Sequence, residues 1–149
     1  VQVKINLNRE EYELLIEIFY IADWVLNAYK TTEDDEIDRY RDLEQKILSR
    51  AKEFGLQNIV EWDPSMRVYQ YTREFEENNP AMEFIEDFEE DTFWDELVER
   101  LSMRDLVEEY GEESVMEMDV FTRLEKLDKY RVKYLEEFEK NGLQNVQVF

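Results

Sequence analysis

A chain of 149 residues with nine Phe, nine Tyr, three Trp and 43% hydrophobic content can bury a real core, so its charge does not make it a disordered chain. Three Gly and two Pro are too few for the turns of a β-sandwich or barrel, and the lack of Cys and His removes disulfides, thiol nucleophiles, Cys/His zinc sites and a histidine general base. With 39 acidic against 18 basic residues the net charge is −21, which disfavours direct contact with a nucleic-acid backbone.

Val1 to Asn8 alternates apolar and polar residues, the period of a half-buried strand, and Val146 to Phe149 has a similar character. The spacing predicts a minor β-ribbon pairing the termini. Asn8 and Glu11 form a capping pair that opens a helix over 9–30. Between Leu14 and Tyr29 nearly every residue is apolar or aromatic, which predicts a buried first helix with the others packed around it. The stretch carries Glu17, Asp23 and Asn27 and is too short and polar to span a bilayer. No apolar run of signal-peptide length opens the chain, so the expected location is cytoplasmic, away from membranes.

Thr31 to Asp35 reads as a loop and acidic first turn. A second helix runs to about Phe54, with Ile37, Tyr40, Ile47, Ala51 and Phe54 on one stripe and Leu43 and Leu48 beside it, and Gly55 ends it. In residues 56–73, Asp63-Pro64 marks a turn or a helix start, and Arg67 to Thr72 shows β-type residues without clean alternation and reads as an irregular or extended connection. A short helix around 73–77 breaks at Asn78-Asn79-Pro80, a further helix spans 80–90, and Asp91 or Thr92 caps the next one, which reaches Gly111. A last long helix covers roughly 114–140 and stops at Asn141-Gly142. The pentads Gly55 to Ile59 and Gly142 to Val146 are alike, and both read as helix exits in which a left-handed glycine lets an apolar residue fold back. The expected fold is all-α: an irregular or orthogonal bundle of five or six helices in a single helical domain, 1–149.

Catalysis without His or Cys must rest on Asp, Glu, Lys, Tyr or Ser. Serines 49, 65, 102 and 114 lack a nucleophile-elbow context, and glycines 55, 111 and 142 cannot form a phosphate-cradling loop. No motif requires a cofactor. One enzymatic alternative is a divalent-metal-dependent all-α hydrolase using pairs such as Glu83/Glu86, Glu86/Glu89 and Glu125/Asp128, which share helix faces. In so acidic a chain such pairs also arise by chance.

Two features carry more. Asp23 and Asn27 lie one turn apart on the most apolar helix, where a carboxylate needs a cation or hydrogen bonds. Arg39, Arg41, Arg67, Arg73 and Arg104 are candidate partners for a structural ion pair. A polar pocket would instead gather Asp23, Asn27, Trp24, Tyr69, Tyr71 and Arg73. The second feature is the stretch Glu74 to Glu99, with twelve acids and no base, while cations collect at 39–52 and 123–140. Glu76, Glu77, Glu83, Glu86, Asp87, Glu89, Glu90 and Asp91 then present a negative field to a protein partner with a basic surface. The function expected is a noncatalytic protein-interaction module. A DNA-mimic inhibitor of a nucleic-acid-binding protein is a sharper version of it. Like charge opposes self-association, leaving a monomer, or a homodimer meeting through the cationic segments.

Overall fold

The computed structural model describes residues 3–29 and 35–147. It is all-α with one small ribbon: α1 (Arg9–Asn27), α2 (Asp35–Leu48), a 3-10 turn (Ala51–Phe54), β1 (Val60–Asp63), β2 (Val68–Tyr71), α3 (Arg73–Asn78), α4 (Pro80–Tyr110), α5 (Glu112–Glu117) and α6 (Val120–Asn141). The chain divides into two compact units, Val1–Asp87 and Phe88–Phe149, with the division falling inside α4.

In the first unit the capping pair forms as expected. Asn8 Oδ1 accepts from the Glu11 amide at 3.0 Å, and Glu11 Oε2 accepts from the Asn8 amide at 2.8 Å. The core holds Tyr12 and Ile16 of α1, Leu48 of α2, and Ala51, Leu56, Ile59, Val60 and Phe75. Tyr12 stacks on Phe54 with ring centroids 4.1 Å apart. The aromatic group of Tyr20, Tyr71 and Phe75 closes the other side, with Tyr20 edge-on to both rings.

The first helix is not buried on several sides. It buries the Tyr12/Ile16 face, while Leu14, Ile18 and Val25 stand in solvent on the opposite face. Apolar residues all round a helix create two faces to cover, and in this unit α2, the ribbon and α3 supply a cover for one.

The second helix ends earlier than its periodicity suggests. Ser49 Oγ bonds back to the Lys46 carbonyl at 2.8 Å, and the Arg50 amide reaches the Ile47 carbonyl at 2.9 Å. That side-chain competition tightens the exit into a 3-10 turn. Gly55, at φ 72°, then closes the turn, and the Leu56 amide bonds the Ala51 carbonyl at 3.0 Å. Leu56 folds back and is fully buried. The similar pentad at Gly142 behaves differently: φ 54° with ψ −132° is not the left-handed helical conformation, and Leu143 stays about half exposed.

The ribbon lies at 60–71 and not at the chain ends. Residues 3–8 and 142–147 carry no strand, and Val1, Gln2, Val148 and Phe149 lie outside the described residues. β1 and β2 pair antiparallel in the register Val60↔Tyr71, Glu61↔Gln70, Trp62↔Tyr69, Asp63↔Val68. Asp63 Oδ1 organises the connection by accepting from the Ser65 amide (2.7 Å), the Ser65 hydroxyl (2.6 Å) and the Met66 amide (3.1 Å). Arg67 completes it at φ 58°. β2 is the extended alternative read for 67–72, but the strands are short and the loop lacks the Asn-Gly type of signal, which hid their pairing as a hairpin.

α4 is continuous through Asp91 and Thr92, where a new helix start was expected. No Gly or Pro stands between Pro80 and Gly111 to enforce a break. Asn79 Oδ1 accepts from the Ala81 amide at 2.9 Å, with Pro80 at the first helical position. The final helical run is broken at Met118 into α5 and α6. Asp119 caps α6 through the Phe121 and Thr122 amides, both at 3.1 Å, and the Thr122 hydroxyl at 2.6 Å. The second unit packs Leu106, Val115, Leu127 and Tyr130 into its core.

Candidate functional site

Two places in the structure hold the residues singled out by sequence. The first is the seat of Asp23 between α1 and α2. Asp23 Oδ1 accepts from Asn27 Nδ2 at 2.6 Å, so the two residues satisfy each other across one helical turn. They line a small cavity of about 40 Å³ together with Glu44 and Arg41 of α2. That is room for no more than a water molecule.

Glu44 is the residue that the sequence reading missed. It is 7% exposed and accepts from the Tyr71 hydroxyl at 2.6 Å. Burial pushes its carboxyl above the usual range, and the charge of Asp23 adds to the rise against the opposing pull of Tyr71 and Arg41. Tyr71 is pushed up in turn, by burial and by its bond to Glu44. Glu44 was legible: it falls on the line Ile37, Glu44, Leu48, which α2 buries, whereas Tyr40 and Leu43 are exposed.

Of the six residues proposed for a polar pocket, the structure brings Asp23, Asn27 and Tyr71 into this neighbourhood. Tyr69 is held on the ribbon, where its amide donates to Gln45 Oε1 and its carbonyl accepts from Gln45 Nε2, each at 2.7 Å. Its ring tilts against Trp62 at 4.9 Å. Arg73 is at the start of α3, exposed and bonded to Glu77 at 2.7 Å. Trp24 sits about 100° round α1 from Asp23. The buried Glu44 with its Tyr71 donor, and the half-buried pair Asp23/Asn27, stabilise a helix junction. They leave no space for a substrate.

The second place is the acidic stretch. Glu76 and Glu77 on α3 and Glu83, Glu86 and Asp87 on α4 are exposed in the first unit. In the second unit Glu90 and Asp91 are exposed and Glu89 is half-buried. Glu77 is paired with Arg73, and Glu90 accepts from Trp94 Nε1 at 2.6 Å. Among the described residues no cation stands at ion-pair distance from Glu76, Glu83, Glu86, Asp87 or Asp91. Nor do three or more carboxylates among them converge to hold a metal ion. Glu125 and Asp128 remain exposed on α6, with Asp128 bonded to Arg131 at 2.8 Å.

In the second unit Arg104, Arg131 and Lys133 are engaged by acids. Asp105 accepts from the Tyr134 hydroxyl at 2.6 Å, from Arg104 Nη2 at 2.6 Å and from Lys133 Nζ at 3.3 Å. Burial raises this carboxyl, but the three donors outweigh it and hold it below the usual range. Arg131 Nη2 donates to Glu99 Oε2 at 2.7 Å, and its Nε lies 2.5 Å from Glu99 Oε1 as an ion pair. An open groove of about 620 Å³ beside Tyr134 and Phe138 has Arg104 and Lys133 on its rim, both already bonded to Asp105.

No helix among the described residues is long and apolar enough to cross a membrane. No protein-family model, no curated protein and no solved structure matches the chain.

Proposed function

We propose that the protein is a noncatalytic binding module for a protein partner with a basic surface. The observation that carries this reading is the set of exposed carboxylates of the first unit with no cation at ion-pair distance among the described residues, Glu76, Glu83, Glu86 and Asp87. Like charges one turn apart on a helix cost stability, by a few tenths of a kcal/mol per pair. A protein that keeps them in solvent has its field available to a cationic surface, which it steers into contact. Within the second unit Arg104 and Lys133 are already paired with Asp105, and Arg131 with Glu99 and Asp128.

The test uses a Lys/Ala helical peptide with no aliphatic stripe as the cationic probe and two variants of equal charge. One is Glu83→Gln/Glu86→Gln/Asp87→Asn, and the other is Glu112→Gln/Glu113→Gln/Glu117→Gln. The first should weaken binding several-fold more than the second, and the affinity should fall steeply between 50 and 300 mM salt. Equal losses in the two variants would mean that the peptide reads bulk charge alone, and the proposed surface would be withdrawn.

A further inference from the structure

The outward face of α1 has a pattern that the core of its unit does not use. Leu14, Ile18, Ile21 and Val25 follow one another at spacings of four, three and four residues. That is the alternation of a helix-pairing seam, and it covers about 17 Å of helix. Leu14 is 58%, Ile18 60% and Val25 69% exposed, and Ile21 is half-buried. The same helix faces its own core with Tyr12 and Ile16, on the opposite side of the cylinder. Four large aliphatic side chains in register are not the scattered apolar residues that any surface carries.

The borders of this seam say what covers it. Glu10 and Glu17 flank one side and Glu11 the other, and no Lys or Arg occurs from Glu10 to Tyr29. Glu17 is partly buried, and burial together with the charge of Glu13 pushes its carboxyl up, as in a border short of positive charge. A second copy of the chain is a poor cover. Each copy brings a net charge of −21, so two copies repel one another. A lipid surface with anionic headgroups is repelled for the same reason.

We infer that the Leu14–Ile18–Ile21–Val25 seam of α1 docks an amphipathic helix of another protein, one with an aliphatic stripe bordered by Lys and Arg. Aliphatic contact along the seam supplies affinity, and basic residues opposite Glu10, Glu11 and Glu17 set partner choice and register. This surface lies on a different element from the carboxylates of 76–91, so the two readings stand or fall separately.

The experiment measures binding of three labelled peptides to the full chain by fluorescence anisotropy at 0.15 M salt. One has a Leu seam with Lys borders, one a Leu seam with Glu borders, and one an Ala seam with Lys borders. The first should bind saturably with one peptide per chain, and the other two at least tenfold more weakly. Ile18→Asn/Val25→Asn should weaken the first peptide at least tenfold, and Leu14→Asn/Ile18→Asn serves the same purpose if that variant loses helical circular dichroism. The Glu83/Glu86/Asp87 neutralised variant should bind it within about twofold of the unaltered chain. Unchanged binding by a folded seam variant overturns the inference, as does equal binding of the Glu-bordered peptide. It is also overturned if the chain alone forms a dimer that the seam variant abolishes, or if it binds phosphatidylcholine vesicles through the seam. Should only the 83/86/87 variant lose the peptide, the seam is rejected while the acidic surface stands.

Discussion

The Tyr71 hydroxyl donates to Glu44 Oε1 at 2.6 Å, tying the second strand of the ribbon to a carboxylate buried on α2. The bond partly offsets the cost of keeping that charge out of water, and removing its donor leaves a buried carboxylate with less support. Tyr71→Phe should therefore lower stability at pH 7 by about 2 kcal/mol, read as the shift of the urea midpoint.

The same pair sets a pH dependence. The folded-state pKa of Glu44 is raised, so folding favours its protonated form. Its contribution is fully present below the unfolded carboxyl range and is lost as pH rises through the folded value. Glu44→Gln mimics the protonated form. It should be more stable than the unaltered chain at pH 7, and the gap should close as pH falls to about 4. Urea titrations of both proteins at a series of pH values check this, and a gap of constant size would show that Glu44 does not titrate in this way.

Asp105 behaves with the opposite sign. Its pKa is lowered in the fold by Tyr134, Arg104 and Lys133. The stability it supplies is present above the unfolded Asp range and fades as pH falls through the folded value. Asp105→Asn should cost about 1–2 kcal/mol at neutral pH, and the cost should shrink in acid below pH ~3. Calorimetry at pH 7 and in acid distinguishes this from a simple loss of packing, which would not depend on pH.

Ser102 is fully buried on α4, and its hydroxyl has no hydrogen-bond partner among the described residues. An unsatisfied buried hydroxyl is a cost, and alanine is the better helix former. Ser102→Ala should raise stability by about 1 kcal/mol, seen as a higher thermal midpoint.

Asp119 holds the first turn of α6 by accepting from two amides and one hydroxyl. Asp119→Ala should lower the thermal midpoint and speed hydrogen exchange at Phe121 and Thr122. Asp128→Ala, on the exposed face of the same helix, should lower the midpoint less.

Helix existence was legible because it rests on local chemistry: Asn8 with Glu11, Gly55 and the wall of acids before each apolar run say where helices begin and end. What escaped was decided by contacts distant in sequence. The hairpin at 60–71 depends on Asp63 gathering its own loop and on Gln45 reaching the edge of β2, which no alternation in 60–71 announces. Helix breaks at Asp91 and Thr92 were expected from capping residues, yet a cap needs a chain that turns, and nothing there turns it. The burial of α1 was over-read because periodicity counts apolar faces without counting what is available to cover them. In the Asp23 cluster, the pair Asp23/Asn27 follows from one-turn spacing. Glu44 stood on an apolar line and was passed over because a carboxylate there reads as solvent-facing.

Gln45 occupies both hydrogen-bonding groups of Tyr69 on the outer side of β2. A two-stranded ribbon with an open rim is a template onto which any extended chain can add, and addition of identical ribbons is a route to insoluble fibres. The side-chain amide of a helix here impersonates a third strand one residue long. It closes that rim by geometry, so protection against strand addition persists at salt concentrations where the chain's mutual electrostatic repulsion is screened away.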